Sequence, residues 1–144
     1  MRLAQILFVI AAAIFCFLGV THVVLTIRDM YDPRSLTPTD DTVRQAMMGA
    51  RLRLAPVTTI WRAWVGFNLS HGLGLLVYAG IFGGLALSDF RLVAGSIVLQ
   101  VTAIVVAATY ALLATIFWFP VPAALAASGA LLYLASSIVI AIAK

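Results

Sequence analysis

Residues Trp64–Leu87 read WVGFNLSHGLGLLVYAGIFGGLAL, twenty-four positions without one charged side chain. A hydrocarbon core about 30 Å thick takes roughly 20 mostly apolar residues to cross as a helix, so this stretch predicts a membrane span. Three others qualify on the same count: Leu3–Ile27, Leu92–Phe119 and Val121–Ala143. The first is expected to be a retained helix. Its apolar run is too long for the core of a signal peptide, and no small-x-small cleavage site ends it. Composition agrees, with 64% hydrophobic and 10% charged residues over 144 positions and a mean hydropathy of +1.13. A soluble domain runs nearer about 45–50% apolar and about 25% charged. A disordered chain, a collagen-like chain and an ordinary cytosolic enzyme are thereby excluded.

The connections between spans then set the architecture. Ser88–Arg91 joins the second and third, and Pro120 and Pro122 stop the third before the fourth begins. Short links of this kind predict an all-α, up-down-up-down bundle of four transmembrane helices forming a single membrane domain. Glycines in the second span recur every four residues (Gly66 and Gly74 about Ser70, then Gly80 and Gly84), and the third span repeats Ala103, Ala107 and Ala111. Small residues at that spacing let helices approach closely in lipid, so tight packing of these two faces is expected. Enlarging Gly66 or Ser70 should then disrupt it.

Only Arg28–Ala55 is a long connection. Asp32-Pro33 and Thr37-Pro38 read as turns, after which Thr39 caps a helix over about residues 40–54. Asp40 and Asp41 open it and Arg44, Arg51 and Arg53 follow, an order that suits the helix dipole. Val43, Ala46, Met47, Ala50 and Leu54 share one face. The pattern predicts an amphipathic helix lying in the membrane interface with its arginines near phosphates, a lid over one end of the bundle. A plain solvated connector is the alternative.

Nine Lys and Arg against five Asp and Glu give a net charge of +4 and a sequence pI near 9.8. These basic residues are scattered and form no stripe for nucleic acid. They divide by side: Arg28, Arg34, Arg44, Arg51, Arg53 and Arg62 on one, Arg2, Arg91, Lys144 and the amino terminus on the other. The positive-inside rule then puts the long loop in the cytoplasm and both termini outside. Cys16 is alone and forms no intrachain disulfide.

Polar groups inside spans are the best functional pointers in such a chain. There is no glutamate, and no acidic residue lies well inside a span, which argues against proton-coupled export. Both histidines do lie inside. His22 stands roughly 8 Å and His71 roughly 10 Å from the same membrane face at 1.5 Å per residue. Phe15, Gly19, His22 and Thr26 share a face of the first helix, and Trp64, Asn68, His71, Leu75 and Tyr78 share one of the second. If these faces meet, His22, Thr26, Asn68 and His71 form a polar cluster. Arg62 and Trp61 stand at its mouth, with Tyr110 and Thr115 at comparable depth.

Several chemistries suit that cluster. Its side chains can hydrogen-bond a quinone carbonyl or a lipid head group. Two facing imidazoles can ligate a b-type haem as an electron carrier. Histidine can also act as acid or base on a lipid-soluble substrate. A self-satisfied network that glues helices together is the structural alternative. No third metal ligand accompanies the histidines, and HExxH, GxSxG, CxxC and P-loop motifs are missing, so no cofactor is assigned. Trp61, Trp64 and Phe117-Trp118-Phe119 read as an interfacial aromatic belt. Gln100, Thr102, Ser128, Ser136 and Ser137 read as groups that bond neighbouring backbones.

The string Trp61-Arg62-Ala63-Trp64-Val65-Gly66-Phe67-Asn68-Leu69-Ser70-His71, with Asp32-Pro33-Arg34, Ala46-Met47 and Phe117-Trp118-Phe119, resembles the signature of a family of short bacterial four-helix membrane proteins of unassigned function. Phe117 departs from its pattern, which has tyrosine there. The resemblance covers most of the chain and implies a four-helix architecture in a bacterial inner membrane. It brings no reaction with it. The expectation is a non-enzymatic accessory or a module that binds lipid or quinone through the His/Asn/Thr cluster. Its partners would be the bilayer and a second copy or a membrane complex, with no nucleic acid.

Overall fold

The computed structural model describes residues 1–143; Lys144, counted above with the second side, lies outside the described residues. The chain is helical: α1 (Arg2–Tyr31), α2 (Asp41–Gly49), α3 (Ile60–Ser88), α4 (Phe90–Gly95), α5 (Ile97–Phe117) and α6 (Pro120–Ile142). Among the described residues there is no strand, only one antiparallel bridge between Arg51 and Thr59. The helices α1, α3, α5 and α6 are long and apolar enough to cross a membrane. Two compact units can be described, Gly19–Gly74 and the remainder of the chain.

Helix ends follow local hydrogen bonding rather than hydropathy, so two run past the apolar stretches. α1 continues through Arg28 to Tyr31, and α3 begins at Ile60, where the Thr59 hydroxyl accepts from the Arg62 amide at 3.2 Å. α6 opens on Pro120, one residue ahead of the expected Val121, because a proline at the first helical position gives up no intrahelical bond.

The third apolar stretch differs from expectation. It is not one helix over Leu92–Phe119 but two, because Ser96 is extended (φ −111°, ψ 105°). Gly95 is the poorest helix former short of proline, and the Ser96 hydroxyl recaps the chain by accepting from the Leu99 amide at 3.3 Å. A break inside an apolar stretch orphans carbonyls. Here the Ser96 amide donates to the Val93 carbonyl at 3.3 Å, and the buried Gln100 Nε2 donates to those of Val93 and Ala94 at 3.0 and 3.3 Å.

The loop helix is also corrected. Asp40, not Thr39, caps α2: its carboxylate accepts from the Thr42 amide and hydroxyl at 2.8 and 2.7 Å. α2 stops at Gly49, well short of residue 54, and none of its residues is buried. Beyond it, Ala50 is extended and its carbonyl accepts from the Ile60 amide at 3.0 Å, while the Leu52 amide reaches the Thr58 carbonyl at 3.4 Å. Ala50 and Leu54 therefore leave the helix for a bridge-closed loop that lands directly on α3.

In the larger unit, an aromatic core joins α1, α3, α4 and α6. The Phe8 ring lies 4.5 Å from Tyr133 and 6.0 Å from Phe90, and Phe15 lies 5.1 Å edge-on to Tyr78. Polar side chains bond backbones around it. Ser136 Oγ donates to the Ala4 carbonyl and Gln5 Nε2 to that of Ala86, both at 2.8 Å, and the Tyr78 hydroxyl donates to Ala103 at 2.5 Å. α5 packs along α6.

The crowded glycines are not those the four-residue spacing selected. A Cβ on Gly66, Gly80 or Gly84 meets nothing within 4 Å, and Ser70 is exposed. One on Gly129 meets the Phe15 ring at 2.6 Å, and one on Gly83 meets Ala12 at 3.2 Å. In the smaller unit, one on Gly72 meets Val23 Cγ2 at 2.6 Å and the Gly19 carbonyl oxygen at 3.3 Å.

Candidate functional site

A helix repeats its face every three to four residues, so His22, Thr26 and Asp29 stand in one row on α1, and all three are buried. Trp64, Asn68 and His71 stand in the matching row on α3. The close approach at Gly72 lets the rows meet. His22 and His71 rings lie 4.9 Å apart between centroids and are tilted by 57°. Asn68, 1% exposed, lies within hydrogen-bond reach of His22, with Nε2 to Oδ1 at 3.0 Å. His71 is partly buried and stacks on the exposed Phe67 at 6.4 Å.

The Asn68 amide fixes the chemistry of the pair. Its Nδ2 donates to the Trp64 carbonyl at 2.8 Å, and a carbonyl can only accept. Oδ1 therefore faces His22, and the bond between them requires the proton on His22 Nε2. His22 is thus held in one tautomer, with Nδ1 as its acceptor.

Thr26 and Arg62 stand apart from this core. The Thr26 hydroxyl donates to the His22 carbonyl at 2.7 Å, turning back on its own helix. Arg62 is exposed in the first turn of α3. Tyr110 and Thr115, also drawn to this depth by the sequence, belong to the larger unit. There Tyr110 lies 6.2 Å from Phe15, and the Thr115 hydroxyl donates to Ala111 at 2.8 Å.

One group that sequence reasoning passed over organises the region. The Asp29 carboxylate, in the last turn of α1 and 4% exposed, accepts from the amides of Arg34, Ser35 and Leu36 at 3.1, 3.1 and 2.5 Å. Successive amides converging on one anion form a nest, here closing on a charge that would otherwise be costly to bury. The Leu36 carbonyl in turn accepts from Trp64 Nε1 at 3.1 Å. Hydrogen bonds thus run from Asp29 through Leu36, Trp64 and Asn68 to His22. The signal was present: Asp29 continues the row of His22 and Thr26, just ahead of the Asp32-Pro33 turn.

This geometry tests two of the cofactor chemistries. Axial imidazoles on opposite faces of a haem, with iron–nitrogen bonds of about 2 Å, hold ring centroids about 6 Å apart with a macrocycle between them. Rings at 4.9 Å, with one Nε2 committed to Asn68, do not fit that arrangement. Among the described residues, no group of three or more His, Cys, Asp or Glu could hold a metal ion. The pair itself is two imidazoles, one oriented by an amide and the other partly exposed, groups that hydrogen-bond a ligand or pass a proton. Compared with family models, with curated proteins and with solved structures, the chain matches none.

Proposed function

We propose that the chain is a multi-pass membrane protein, not an enzyme, whose His22–Asn68–His71 cluster binds the polar group of a lipid or quinone-like molecule. The observation that carries this reading is the oriented pair itself: a buried His22 held in one tautomer by Asn68, beside a partly buried His71. With the His22 proton committed to Asn68, an uncharged ligand carbonyl would accept from His71, whereas a hydroxyl can also donate. In this reading α1, α3, α5 and α6 form the up-down-up-down bundle of a bacterial inner-membrane protein of the four-helix family that it resembles. The long loop is cytoplasmic, α2 lies in the interface, and the bundle pairs with a second copy or a membrane complex.

Native mass spectrometry of the chain released from mild detergent tests the site, comparing wild type with His22→Ala and His71→Ala. An adduct lost in both variants is expected, and its mass names the ligand class. A bare wild-type chain, or an adduct indifferent to both changes, would leave the histidines as helix glue and overturn the proposal.

A further inference from the structure

The loop between α2 and α3 carries a second property, independent of the histidine pair. The Arg51–Thr59 bridge closes it, and the Thr58 amide donates to the Ala55 carbonyl at 3.0 Å, forming a turn with Pro56 at its second position. Arg51 Nη1 crosses the loop to the Pro56 carbonyl at 2.6 Å and braces it. On the tip so formed stand Leu54, 97% exposed, and Val57, 87% exposed, the two most exposed large apolar side chains among the described residues.

Two further facts say what covers this tip. Val57 is three residues before Ile60, where a span-length helix begins, so chain connectivity alone keeps it within about 10 Å of that helix end. Moreover, from Thr42 to Ser88 there is no acidic residue, while Arg44, Arg51, Arg53 and Arg62 all fall between Thr42 and the first turn of α3. Among the described residues the ion pairs are Arg34–Asp32 and Arg44–Asp41, which leaves the arginines of the tip unneutralised by carboxylates. Guanidinium groups match phosphate geometry, and a surplus of positive charge at a membrane surface favours anionic lipid.

We infer that the Leu54–Val57 tip inserts into the bilayer interface with Arg51 and Arg53 on anionic phospholipid head groups. Braced by its bridge, the loop enters as a preformed wedge, so little ordering opposes insertion.

The test uses the full chain in a Cys16→Ser background with Leu54→Cys carrying an environment-sensitive fluorophore. It is reconstituted into phosphatidylcholine vesicles with and without phosphatidylglycerol. With phosphatidylglycerol the emission should shift to the blue, resist aqueous iodide and be quenched by a nitroxide near the lipid head group. The ratio of inserted to water-exposed tip should fall roughly fivefold for each of Arg51→Gln and Arg53→Gln. A label as open to iodide as free dye overturns the insertion. Insertion that ignores both the anionic lipid and the arginines overturns the head-group assignment. The same label on Val57→Cys guards against a local effect at Leu54.

Discussion

At Gly72 a methyl group has no room: its Cβ would stand 2.6 Å from Val23 Cγ2 and 3.2 Å from the Val23 amide nitrogen. A backbone atom cannot turn aside as a side-chain tip can. Gly72→Ala should therefore destabilise the protein by about 1–3 kcal/mol, the usual cost of overpacking, measured as unfolding in mixed detergent micelles. Gly66→Ala should be neutral or slightly stabilising, because its methyl meets nothing and alanine favours the helix. Equal losses in both variants would mean that spacing, not the facing surface, governs this helix. The contrast shows what was legible at this scale. Rows of three and four residues placed His22 with Thr26 and Asn68 with His71, because periodicity fixes which side chains share a face. Periodicity does not say which face meets a neighbour, so the repeat through Gly66 and Ser70 drew attention to an open side of α3. Asp29 escaped for another reason. Its value lies in amides five to seven residues ahead, presented by a turn whose geometry no pattern of side chains records.

Among the elements, the break at Ser96 and the short α2 depend most on single side chains. Gln100 donates to the carbonyls of Val93 and Ala94 at the break, the first of which also accepts from the Ser96 amide, so Gln100→Leu keeps the bulk and removes both side-chain bonds. A loss of about 1–3 kcal/mol is expected from removing these two buried bonds, together with faster amide exchange in α4. Unchanged exchange would show that α4 is held by packing alone. In α2, bonds from the Thr42 hydroxyl and amide hold the Asp40 carboxyl below the ordinary carboxylate range. A carboxyl whose value is lowered in the folded chain stabilises it fully above its unfolded value and loses that contribution as pH falls through the folded one. Amide protection in α2 should therefore persist through mildly acidic pH and fade only below the usual aspartate range. Asp40→Ala should abolish both the protection and its pH dependence. Protection in the variant equal to wild type would remove Asp40 from the cap. Neither the break nor the true cap stood out in the sequence: hydropathy runs unbroken through Gly95-Ser96, and both Thr39 and Asp40 are competent caps.

For the molecule as a whole, the four long apolar helices were legible as four apolar runs, because a single segment satisfies its own backbone in hydrocarbon only as a helix. What surrounds those helices is testable at Cys16, the only cysteine in the chain. It lies near the middle of α1, about 20 Å from either helix end at 1.5 Å per residue, and its side chain is exposed on the helix surface. If α1 spans a bilayer, that exposure is to hydrocarbon, which a charged reagent does not enter. A charged, membrane-impermeant maleimide should then fail to label Cys16 in intact vesicles, even from both sides, and a lipid-soluble maleimide should label it slowly. Dissolving the vesicles in denaturing detergent should restore rapid labelling by either reagent. Fast labelling by the charged reagent in sealed vesicles would place Cys16 in water, and α1 would then have to line an aqueous path instead of facing lipid.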